Sequence, residues 1–156
     1  MSHFDQLTYF IIHQTDNHWL LIKLVSKDGV PQELIYIDSR IDSAGYRKTA
    51  KTIITNTLKY IRKRYSTIGT DQAAAPSLGD IKVTIMDSQN TPTDPQCCPR
   101  KIGFIDCGVF CAENLRRMLF GLPLNYSRSD IVLIRRTMMA DMITGEVVFP
   151  VSLPSP

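Results

Sequence analysis

Apolar and polar positions change period several times along the chain. Residues 8–13, TYFIIH, and 18–25, HWLLIKLV, are short apolar runs of strand length. The cluster Gln14-Thr15-Asp16-Asn17 between them carries turn chemistry and predicts a hairpin. Lys27-Asp28-Gly29 marks a second turn, and residues 33–38, ELIYID, a third strand. Strands joined in sequence by short turns predict an antiparallel meander. Over 46–65 the period becomes helical: Ala50, Ile53, Ile54, Leu58 and Ile61 recur with Lys and Arg between them. Residues 66–79 are small, polar and Pro/Gly-bearing, which predicts a loop. A fourth strand is expected at 81–86, IKVTIM, then a polar loop over 88–104 with Pro92, Pro95 and Pro99.

Beyond that loop, Val109, Phe110, Cys111, Leu115, Met118 and Leu119 form a near-helical stripe, which Gly121-Leu122-Pro123 should end. Asp106 stands where an N-cap would. Ser127 or Ser129 can cap a last helix running to about Ile143, ended by Gly145. The pattern predicts an α+β fold, a central, mainly antiparallel sheet packed by helices. With no repeat and no long linker, residues 1–150 are expected to form one domain and 151–156 a flexible tail.

Composition alters this picture little. A formal net charge of +3 gives no case for a nucleic-acid partner, and Arg62-Lys63-Arg64 reads as a solvated helix face. No apolar run reaches the roughly 18–20 residues that span a bilayer, so no membrane partner is expected. The N-terminal MSHFDQLTYF lacks a signal-peptide pattern. The four cysteines, Cys97, Cys98, Cys107 and Cys111, contain no CxxC pair and read as reduced thiols, which suits an intracellular setting, cytoplasm or nucleus. Cys107 and Cys111 could share a helix face as metal ligands with His3 or His13, but no tight second pair completes such a set, and neither metal nor cofactor is expected.

Chemistry concentrates on three residues. Cys107 falls in the first turn of its helix, where partial positive charge and free N–H groups favour a thiolate. Gly108 would let a substrate approach the sulfur. His18 opens one strand and Asp38 closes the next, and antiparallel pairing sets such ends side by side. Alone, the cysteine reads as a small buried hydrophobe, the histidine as a strand-end residue and the aspartate as a turn carboxylate. Together they are the nucleophile, proton carrier and orienting group of acyl transfer.

His18-Trp19 in NHWLLIKL, Asp38-Ser39 in LIYIDS and DCGVF at 106–110 resemble the ubiquitin-like-protein proteases, cysteine proteases that process SUMO and similar modifiers. Bacterial deubiquitinases and the adenoviral protease are distant relatives of that family. SRSDIVLIRRTMMADMITG resembles its last helix, and the resemblance runs over about residues 8–145. It implies a thiol isopeptidase or peptidase acting on ubiquitin or a ubiquitin-like protein after its Gly-Gly tail. Cys107 would be the nucleophile, His18 the general base and acid, and Asp38 the orienting group. Gln96, or alternatively Gln89, would be an oxyanion donor, although the spacing from Gln96 to Cys107 is longer than the family's. Trp19 would cover the channel for the tail; as a plain residue it reads as core.

The family also carries substrate-binding segments upstream of its first strand, including a second tryptophan. This sequence starts almost at that strand and holds one tryptophan. Either those segments are missing, recognition is built differently, or the usual substrate is not bound. Two other readings compete: a triad-dependent acetyltransferase, as in related bacterial effectors, and a non-catalytic module that binds ubiquitin-like proteins. The compact build suits a microbial effector acting inside a host cell.

Overall fold

The computed structural model describes residues 6–14, 18–39, 44–68, 80–86 and 106–146. Four strands form one sheet in the order β1 (Gln6–Gln14), β2 (His18–Lys27), β3 (Val30–Ile37) and β4 (Lys82–Met86). Among the described residues, three α-helices accompany it: α1 (Ala44–Ile68), α2 (Cys107–Leu119) and α3 (Ile131–Thr144). The fold is α+β, as the sequence pattern predicts.

The turn between β2 and β3 consists of Asp28 and Gly29, with φ of 53° and 79°. Two successive positive φ values define the tight turn whose twist matches paired antiparallel strands, and Asp-Gly is a favoured pair for it. β4 departs from the meander, because it pairs with β3 in parallel, Glu33 opposite Lys82 through Ile37 opposite Met86. A parallel neighbour needs a long crossover, and α1 lies between the two strands in sequence. Pro31, which has no N–H to donate, falls outside this ladder.

Contacts within the chain divide it into two compact units. The first draws on residues 1–10, 22–37 and 42–86. In it, α1 buries Ala50, Ile54, Thr57 and Ile61, one helical stripe, and leaves Arg62, Lys63 and Arg64 exposed. Phe10 meets Tyr60 edge to face at 6.2 Å.

The second unit draws on residues 11–21, 38–41 and 87–156. Phe110 is fully buried in a cluster with Tyr126, Ile131 and Ile134, edged by Val109 and Met138. The Tyr126 hydroxyl lies 3.1 Å from the Phe110 carbonyl oxygen and 2.8 Å from Asn114 Oδ1. Glu113, almost wholly buried, accepts a 2.7 Å bond from Arg117 Nε. Arg117 also donates to the Pro123 carbonyl and to Asn125 Oδ1, tying α2 to the segment that follows it. That segment begins at Gly121, whose φ of 66° is a left-handed helix stop. Leu122 N bonds Arg117 O and Gly121 N bonds Met118 O, the paired bonds of a Schellman motif.

The last helix starts differently from the expectation. Arg128–Asp130 form a short 3-10 turn ahead of α3. Neither Ser127 nor Ser129 caps α3, whose N-cap is Asp130; the Ser127 N–H and hydroxyl both donate to the Asp130 carboxylate, at 2.8 and 3.0 Å. Phe110→Ala should therefore destabilise the protein by about 3–5 kcal/mol, a cavity beside two fixed helices being unable to close. Denaturant unfolding of the purified variant measures this, and a loss below about 1 kcal/mol would contradict the packing.

Candidate functional site

His18, Trp19, Asp38 and Cys107 all belong to the second unit. Buried His18 is the first residue of β2, and buried Asp38 directly follows β3. Their side chains meet as expected from the antiparallel strands: His18 Nε2 stands 2.6 Å from Asp38 Oδ1. An imidazole held at Nε2 by a carboxylate keeps Nδ1 as the nitrogen for a reacting group.

Cys107 begins α2 and is buried. Burial pulls the His18 pKa down, but the hydrogen bond and charge of Asp38, then those of Cys107, outweigh it and hold His18 above its ordinary value. The thiol is thus a direct neighbour of the imidazole. Cys111, one turn along, differs. Burial first, then the nearby Cys107 and Asp38, push its thiol pKa up to about 11, so it stays protonated at neutral pH.

Trp19 is partly exposed, and its ring lies tilted against that of His13, 4.5 Å between centroids. A Cβ added at Gly108 would stand 3.6 Å from Trp19 Cδ1, an ordinary contact. Trp19 therefore roofs the residue after Cys107 and is not interior core.

Asp106 corrects one expectation. Its side chain makes no capping bond to α2, and its backbone, φ −101° and ψ 1°, lies outside the extended region usual for a cap. Arg135, from α3, takes the carboxylate at 2.6 Å. Sequence reasoning passed over this arginine, which stands 29 residues away with no local signal joining the two. Gln96 and Gln89 lie outside the described residues, as do Cys97 and Cys98. Among the described residues, no group of three or more His, Cys, Asp or Glu side chains is placed to hold a metal ion.

Comparison with known proteins decides the family. The sequence model of the Ulp1 protease family, C-terminal catalytic domain, matches residues 5–145. The chain belongs to this family. The fold agrees: the chain is similar to the X-ray structure of the C-terminal Ulp1 protease domain in complex with Smt3, the yeast ortholog of SUMO. That likeness has a TM-score of 0.58 at 21% identity over 88% of this chain. The chain spans only 52% of that protease domain, about half its length. No curated protein matches the chain in sequence.

The contrast between the two helix thiols can be measured. Iodoacetamide at mildly acidic pH should alkylate Cys107 well ahead of Cys111, because one thiol has an imidazole partner and the other is held protonated. Peptide mapping by mass spectrometry reads both sites, and equal rates would contradict an activated Cys107.

Proposed function

We propose that this Ulp1-family chain is a cysteine peptidase or isopeptidase, cleaving after the C-terminal Gly-Gly of a SUMO-like modifier or of ubiquitin. The observation that carries the reading is the buried 2.6 Å His18–Asp38 hydrogen bond beside Cys107 at the start of α2. The similar Ulp1 domain was solved with Smt3 bound, which favours a ubiquitin-like partner.

In this mechanism Cys107 attacks the glycine carbonyl as a thiolate, with the proton on His18. Asp38 orients the imidazole and stabilises its charged form. His18 gives that proton to the leaving amine, and a thioester to Cys107 remains. Water then attacks the thioester as His18 takes one of its protons, and the thiolate leaves. The Cys107 backbone N–H and Gln96, with Gln89 as the alternative, would hold the oxyanion. Trp19 over Gly108 would confine the tail to a narrow strip, which two glycines fit and bulkier residues do not. A thiol nucleophile of this kind would suit a reducing compartment, cytoplasm or nucleus.

Turnover of modifiers carrying a C-terminal fluorophore, SUMO and ubiquitin in parallel, tests the reading. Cys107→Ala should abolish release and His18→Ala nearly so. Asp38→Asn should cost less than the ~10⁴ of the matching change in a serine triad, because a preformed ion pair leans less on its orienting group. It should also shift the pH profile in a fixed direction. Asp38 raises the His18 pKa, so its removal lowers that pKa, and the alkaline limb, where the imidazolium is lost, moves to lower pH. Gln96→Ala should cost about 10²–10³ in turnover; if Gln89→Ala does so instead, Gln89 is the donor. Full activity in Cys107→Ala would overturn the reading.

A further inference from the structure

We infer that Arg135 is a positioning residue for the nucleophile: by binding the Asp106 carboxylate it neutralises that charge and holds the side chain away from Cys107, the residue that follows. The inference rests on Cys107 being the nucleophile. Two separate observations carry it. Asp is among the best N-cap residues, yet Asp106 makes no cap bond, and its ψ of 1° is far from the extended value a cap adopts. The carboxylate lies instead 2.6 Å from Arg135 Nη2. The Asp106 backbone still takes part in the helix, its carbonyl accepting from Phe110 N at 2.9 Å.

The consequence is chemical. The first N–H groups of a helix have no partner within it, and they attract either a capping carboxylate or an incoming anion. An Asp106 carboxylate without its partner would bring an unneutralised negative charge beside the Cys107 thiolate, which disfavours that thiolate. Arg135 prevents this, from a helix that carries none of the three proposed triad residues. Among the described residues, the titratable groups around this thiol include His18 at the start of β2, Asp38 after β3 and Cys111 from α2 itself.

Arg135 is about half exposed, so its removal leaves no hole in the core. The test is a double-mutant cycle on the full chain, read first by the rate of Cys107 alkylation with iodoacetamide against pH, without substrate. Arg135→Ala should slow alkylation about tenfold near neutral pH and move its profile to higher pH, with the melting temperature little changed because the ion pair lies near the surface. Arg135→Ala/Asp106→Ala should return the rate to within about threefold of the parent, since no carboxylate remains to repel the thiolate. Modifier cleavage, if present, should follow the same order, mainly in kcat. An Arg135→Ala variant that alkylates at the parent rate overturns the inference, and so does a double variant as slow as the single. If Arg135→Ala fails to fold, Arg135→Gln is read by the same criteria. Because alkylation needs no substrate, a failure of the proposed peptidase activity would be seen separately from a failure of this pair.

Discussion

The site depends on the pairing of β2 with β3. A buried imidazole and carboxylate lose hydration, and that loss is offset only when the two groups bond each other well. They meet here because the Asp28-Gly29 turn fixes which residues of the two strands lie side by side. His18 lies nine positions back from Lys27 and Asp38 eight positions on from Val30, so the two reach the same end of the hairpin. A one-residue slip in an antiparallel pair would turn the whole of β2 over and send His18 to the opposite face. The positive φ at Asp28 and Gly29 is therefore a condition for the site, although neither residue belongs to it.

The other half of the site is set by how α2 is held. Cys107 sits on the first turn of a helix whose next turns carry Phe110 in the core, Asn114 on the Tyr126 hydroxyl, and Glu113 and Arg117 in a buried ion pair. Removing one partner of such a pair strands a buried charge, so these contacts hold the helix firmly. Firmness matters for chemistry, since a displacement of about 1 Å at a reacting atom can cost on the order of 100-fold in rate. Cys111 sits on the same helix and is excluded by its surroundings, not by distance along the chain. Burial and two nearby groups keep it a thiol, while Cys107 faces an imidazole.

What could be read in the sequence was mostly local. The Asp-Gly turn, the amphipathic stripe from Ala50 to Ile61 and the glycine stop at Gly121 each follow from a few adjacent residues, and each stands where expected. The meeting of His18 and Asp38 was legible because it needs only the pairing of adjacent strands. The parallel partnership of β3 with β4 was not, since nothing in KVTIM says which strand it will join after a crossover. Asp106 shows the same limit from the other side. Its local preference for capping can be read from the residue type, but its backbone takes no cap conformation and its carboxylate bonds a side chain 29 positions on.

The raised pKa of His18 bears on how the proposed reaction divides its work. In a serine triad the imidazole must remove a proton during attack, so the base has to be neutral first. A thiol ionises far more readily than a hydroxyl, and here the imidazole is pushed toward its charged form by Asp38 and by Cys107 itself. An imidazolium in place before attack would make attack the easier step and have the leaving amine's proton ready. In a thiolate–imidazolium pair the sulfur is intrinsically the weaker nucleophile, because nucleophilicity falls with thiol pKa. Oxyanion donors at the start of α2 would offset that loss by stabilising charge where it develops. A triad of this kind would therefore gain more from oxyanion donors at the helix N-terminus than from a stronger base.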